Sequence, residues 1–209
     1  MAFTIVQGPN HKVNTPNNSL IMGRDCGPAS KHCIRECYPL KAWKAYPSVQ
    51  VSWKGNSNLL RTDPNAYFGA ITKYLDRVHP PLYRIHVSGD FISQDHFDRW
   101  VGVAAEYQET GFLAFTKSFP FLPVDSTTLP PNFSVVLSLF PSMVGSPEDI
   151  PVELWDSYPM AYAGDRWDYF GTPYWTRVRD ANHCPGKCGS LEGECDTCWV
   201  GDDVHFPIH

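Results

Sequence analysis

Three thiols stand close together near the start of the chain, in the stretch CGPASKHCIRECY at residues 26–38. Cys26, Cys33 and Cys37 form C-x6-C-x3-C. Near the other end, Cys184, Cys188, Cys195 and Cys198 form C-x3-C-x6-C-x2-C, and the long middle of the chain holds no cysteine. Thiolates gathered on short, bent backbone are the donors of structural zinc and of iron–sulfur clusters. Gly27-Pro28 and Pro185-Gly186 follow the first cysteine of each group and supply such bends. Structural zinc prefers two short pairs, and only Cys195 and Cys198 have the C-x2-C spacing. Three close cysteines with a distant fourth suit a cubane cluster, which four thiolates also hold. A site shared by both groups would tie the two chain ends together. The plain alternative for each cysteine is a small buried hydrophobe.

Composition narrows the setting. The chain has 209 residues, 43% of them hydrophobic and 14% aromatic, with a net charge of −5. That is a globular chain of about one domain. No basic stripe marks a nucleic-acid surface, and no apolar run reaches the length of a membrane span. The N-terminal residues lack the apolar core of a signal peptide, so a cytoplasmic protein is expected. In a reducing compartment clustered cysteines bind metal or do redox chemistry more often than they form disulfides. The odd count of seven points the same way.

The elements that must position these thiols read as α/β. Residues 1–60 look irregular, 61–180 form a β/α core and 181–209 a cysteine-rich tail of the same single domain. Asp63-Pro64 caps a helix whose apolar residues Tyr67, Phe68, Ile71, Tyr74, Leu75 and Val78 recur at helical spacing. YRIHVSGD reads as a strand ending in a turn, Ser93 caps a second helix, and Gly111 stops it. FLAFTKS, FSVVLSLF (133–140), YPMAYAG (158–164) and YWTRVR read as further strands, with a helical turn at Ser146-Pro147. Strands alternating with helices predict parallel pairing, either in an open sheet or in a small, degenerate TIM-barrel-like fold, since a full (β/α)₈ barrel takes about 250 residues.

In parallel α/β folds functional groups collect where strands end. His86, Ser88 and Asp90 end the first strand; Thr116, Lys117 and Ser118 end the next. Lys117 and Asp90 are expected to pair or to line a pocket above a metal centre, and His86 to bond a sulfur or to pack as a core histidine. Asp165, Arg166, Arg177 and Arg179 are placed on the same face by position alone.

CGPASKHCIRECY, RIHVSGDF, FLAFTKS and CP…CDTCW, in this order, resemble the phage and plasmid "gene product eighty-eight" domain proteins, over about Cys26 to Trp199. The resemblance implies a small TIM-barrel-like fold related in outline to radical-SAM barrels, a [4Fe-4S] cluster as cofactor, and a bacteriophage origin. It places the ligands on Cys26, Cys33 and Cys37 and on a fourth cysteine drawn from Cys184, Cys195 and Cys198, with Cys198 first; Cys188 matches nothing in the pattern. Radical-SAM enzymes use C-x3-C-x2-C and leave one iron open, and this chain departs from that spacing. The expectation is therefore an iron–sulfur protein serving electron transfer, redox sensing or stabilisation, with a host or phage redox partner. A radical-SAM-like enzyme with a small molecule over His86, Asp90 and Lys117, or a zinc-stapled binding module, are the alternatives.

Overall fold

The computed structural model describes residues 3–9, 13–27, 31–34, 37–186 and 197–206. Its elements run α1 (Pro39–Ala45), α2 (Pro47–Thr62), α3 (Pro64–Val78), β1 (Leu82–Ile85), α4 (Gln94–Glu106), β2 (Gly111–Thr116), β3 (Phe133–Leu139), β4 (Met160–Ala163), α5 (Trp175–Asp180), β5 (Asn182–His183) and β6 (Val204–Phe206). The first three helices each begin on a proline, whose fixed φ suits the first helical position and whose missing N–H is not needed there. Asp63 caps α3 by accepting from the Ala66 N–H at 2.9 Å, and Ser93 caps α4 by accepting from the His96 N–H at 3.2 Å.

The six strands form one open sheet in the order β1-β2-β3-β4-β6-β5, every pair parallel. The first four are added one after another in the same direction. Right-handed crossovers then carry their connections over a single face. That face holds the main core. Tyr83, Ile85, Phe112, Ala114, Val135, Leu137, Leu139 and Tyr162 meet Leu60, Tyr67, Ile71, Leu75, Phe97 and Trp100 from the helices. The intervening strand residues Leu113, Val136, Ala161 and Val204 face the other way and form a second, smaller apolar cluster.

That second face is concave. Phe115 on β2 and Phe206 on β6 lie three strand spacings apart, about 14 Å in a flat sheet. Their rings are in edge contact at 5.6 Å, so the sheet curls toward its helix-free side. Curvature of this kind is what the TIM-barrel-like expectation anticipated, but the sheet stays open. Its β1 edge is covered by the N-terminal segment. Arg84 N–H donates to Pro16 O at 2.9 Å, Val87 N–H to Asn18 O at 3.1 Å and Leu20 N–H to Ser88 O at 2.8 Å. Such cover removes an exposed edge.

Four expectations are corrected. Residues 1–60 contain two helices, hidden because the buried face of α2 is partly polar. Asn56 there donates to the carbonyls of Ile5 and Ser19, both at 3.0 Å, and Ser57 Oγ accepts from the Ile21 N–H at 2.8 Å. YWTRVR is helical: α5 buries Val178 and aims Arg177 at Asp203 on the loop before β6, with bonds of 2.6 and 2.7 Å. Gly111 opens β2 instead of closing α4, and Ser146-Pro147 lies in turns.

The turn after β1 is a tight point of this frame. Gly89 has φ +84°, and a Cβ there would stand 2.6 Å from Leu20 Cβ. Gly145 has φ +73° with open space around it. Gly145→Ala is expected to cost about 1–2 kcal/mol from backbone strain alone, and Gly89→Ala at least roughly 1–3 kcal/mol more from overpacking. Urea denaturation of both variants checks the order.

Candidate metal centre

The loop that follows the N-terminal segment lies over the C-terminal ends of β1, β2 and β3, and it carries Cys26, Cys33 and Cys37. Two contacts set its ends. Gly27 backs onto the turn after β2, where an added Cβ would meet Ser118 Oγ at 3.2 Å. The Tyr38 hydroxyl donates to Val87 O at 2.8 Å, just beyond β1. Between these points the three thiols sit within electrostatic reach of one another. Burial pushes the Cys26 thiol up to about 12, and the Asp90 carboxylate and the Cys33 and Cys37 thiols add to the rise. Burial also pushes Cys37 up to about 11; Cys33 adds, while the Lys117 cation opposes.

Cys26 and Cys37, held in this way, are protonated at neutral pH and are poor nucleophiles. A bound metal reverses the balance, because its charge deprotonates the coordinating thiol. Among the described residues no group of three or more His, Cys, Asp or Glu is placed to hold a single metal ion. Zinc would draw its thiolates to about 2.3 Å from one point. A cubane cluster is likewise held by thiolates, spread around a larger body.

Asp90 organises the floor beneath the thiols. Its carboxylate accepts from the Phe91 N–H at 2.8 Å, the Thr116 hydroxyl at 2.6 Å and the Lys117 N–H at 2.7 Å. Burial raises its pKa, and these donors work against the rise. The expected pair with Lys117 thus runs through the lysine backbone. The Lys117 ammonium lies over the Phe140 ring, 5.1 Å from its centroid, and its charge still reaches Cys37.

His86 belongs to the helix-side core. It takes a left-handed φ of +49° directly after β1 and packs against His96, Phe91 and Trp100 at 4.9, 5.3 and 6.1 Å. Neither ring nitrogen has a hydrogen-bond partner among the described residues. Burial, helped by His96, holds its pKa well below the usual histidine range, so it is neutral. Ser88, named with it at the strand end, is buried as well.

The C-terminal cysteines divide. Cys188 and Cys195 lie outside the described residues. Cys198 is buried with Leu113, Val136, Ala161 and Val204, and Cys184 packs against the same cluster. Ser134 Oγ, in the first half of β3, donates to Cys198 O at 2.7 Å, and Trp199 stands over Gly111 at the start of β2. Cys198 therefore sits toward the opposite ends of the strands from Cys26 and Lys117, as a packing residue of the concave face. The four polar residues placed beside the site by position serve the frame. Asp165 caps a turn reciprocally with Asp168, Arg166 donates to the Arg179 and Ala181 carbonyls, Arg177 grips Asp203, and Arg179 pairs with Asp180.

Sequence reasoning missed Asp25 and the residues that hold the cysteine loop in place. Asp25, beside Cys26, is nearly inaccessible and pairs with Arg24 and Arg61. Burial opposes its ionisation, but bonds from Ser57, Arg61 and Arg24 prevail and lower its pKa.

A curled parallel sheet with a thiol-bearing loop across the C-terminal ends of its strands defines the class: an α/β protein with a candidate metal centre. The Gene product 88 family model matches residues 5–201, and the chain belongs to that family. The Gene 88 protein of Mycobacterium phage D29 is 28% identical over 125 residues, covering 54% of this chain and 52% of that protein. The chain thus spans about half the length of that relative. No solved structure matches the chain. Among the described residues no helix is long and apolar enough to cross a membrane.

Two outcomes are expected. Asp90→Ala leaves three buried donors without their acceptor and lowers stability by roughly 2–4 kcal/mol, read by urea denaturation. Asp25 has a lowered folded pKa, so its contribution is present above the ordinary carboxylate value and is lost as pH falls below about 4. Asp25→Asn is therefore less stable than wild type at pH 7, and the gap narrows toward pH 3 in thermal melts.

Proposed function

We propose that this phage-type protein is an iron–sulfur protein, with one [4Fe-4S] cluster held at Cys26, Cys33 and Cys37 above the ends of β1–β3. The observation that carries the reading is the mutual neighbourhood of these three half-buried thiols on one anchored loop. A bound cluster supplies one-electron redox chemistry. The chain's own residues prepare the place. Asp90 fixes the turn beneath it, Lys117 offsets part of the negative charge that three thiolates bring, and Phe140 keeps the lysine in position. Electron transfer, redox sensing or stabilisation of the small sheet all follow from such a centre, and a redox protein of host or phage would be the partner.

Cys198 is not proposed as the fourth ligand, because it packs the concave face near the other ends of the strands. A three-thiolate set at the C-terminal rim of a curled parallel sheet also favours a second reading, an enzyme of radical-SAM type acting on a small molecule. Lys117 and Phe140 would then line the rim.

Anaerobic purification with iron and acid-labile sulfide assays tests the first reading. About four irons and four sulfides per chain, with a broad visible band, are expected. Cys26→Ser, Cys33→Ser and Cys37→Ser each lose most of the iron, whereas Cys198→Ser keeps it. A colourless chain with stoichiometric zinc would overturn the redox readings. A change in the reduced cluster's electron paramagnetic resonance on adding S-adenosylmethionine separates the second reading from the first.

A further inference from the structure

Between Gly27 and Tyr38 the cysteine loop has one more hold, and it reaches across more than a hundred residues. Lys31 Nζ donates to Glu148 Oε1 at 2.7 Å, and His32 Nε2 lies 3.3 Å from Glu148 Oε2. The other nitrogen of His32 lies 3.1 Å from Ser142 Oγ. Each carboxylate oxygen of Glu148 thus holds a different residue, and the two residues held are the pair just before Cys33. Ser146 completes the arrangement: its hydroxyl lies 3.3 Å from Glu148 Oε2 and accepts from the Glu148 N–H at 3.2 Å.

The loop that carries Glu148 is fixed without it. The neighbouring Asp149 accepts from the Gly145 N–H at 2.6 Å and from the Tyr174 hydroxyl at 2.7 Å. Removing the Glu148 side chain therefore frees the cysteine loop while leaving its own turn anchored. Ordering a loop costs conformational entropy for every residue fixed. A charge-assisted contact beside Cys33 offsets part of that cost in advance of metal binding.

We infer that Glu148 is the positioning residue of the thiol site: by holding Lys31 and His32 it keeps Cys33 within reach of Cys26 and Cys37. The inference rests on the iron–sulfur reading for its consequence and on geometry alone for the contact. Glu148 touches no thiol and acts through its two partners.

The test compares wild type with Glu148→Ala, Glu148→Asp and Asp149→Ala. Two readouts are used: iron release to a ferrous chelator, and alkylation of each cysteine by iodoacetamide in the metal-free chain, resolved by peptide mass spectrometry. Glu148→Ala is expected to release iron roughly tenfold faster, the size of losing one charged hydrogen bond. It should also speed alkylation of Cys33 while leaving Cys198, buried in the concave cluster, unchanged. Glu148→Asp should recover part of both effects. Asp149→Ala should lower the urea midpoint, which Glu148→Ala barely moves. Wild-type rates at Cys33 in Glu148→Ala would overturn the inference. Equal acceleration at Cys33 and Cys198 would also overturn it, because that would mark general loosening. If wild type itself binds no iron, the iron–sulfur reading fails, and the alkylation pattern still decides the role of Glu148.

Discussion

The arrangement depends on one buried carboxylate. Asp90 sits where the chain leaves β1, yet its oxygens are occupied mainly by the turn that leaves β2. Its own N–H donates to Asp25 O at 2.7 Å, one residue before the first cysteine. Three segments far apart in sequence are thereby joined within one residue's reach. A carboxylate in this position costs desolvation, and three short donors make it tolerable. Burial raises the Cys26 thiol and the same carboxylate adds to the rise, so the residue that builds the floor also acts on a thiol above it.

Much of this was legible in the residues. The parallel α/β class followed from apolar periodicity and capping at Asp63 and Ser93, and the ends of β1 and β2 were correctly placed as neighbours. The helices before residue 60 were hidden because α2 turns Asn56 and Ser57 inward to serve the backbone of residues 5–21. A buried face built for hydrogen bonding leaves little apolar stripe. The strand reading of YWTRVR failed for a related reason. Alternation there arises from Tyr174 and Val178 packing inward one helical turn apart, with Arg177 between them committed to the Trp155 and Tyr158 carbonyls and to Asp203.

At the candidate site, sequence grouped the cysteines by spacing and drew the two ends toward one centre. Space separates them differently. Cys26, Cys33 and Cys37 are half-buried, while Cys198 is buried beside Leu113, Val136, Ala161 and Val204. Burial depth, which no spacing encodes, decides between those roles. His86 makes the same point. Its place at a strand end suggested chemistry, but a left-handed backbone turns its ring into an aromatic core, where desolvation keeps it uncharged.

The strip of chain along β1 bears on the order in which the molecule can be built. Residues 15–20 leave the ribosome first, but the strand they lie against is made some sixty residues later; Thr15 bonds to the carbonyl of Leu82. Contacts of such long sequence separation close late and slowly. Cys26, Cys33 and Cys37 follow that strip, so during synthesis they emerge before β1 and β2 exist to pack against them. The seating of Cys26, Cys33 and Cys37 is thus a late step in the folding of the chain, and its timing is set by the register of one parallel strand.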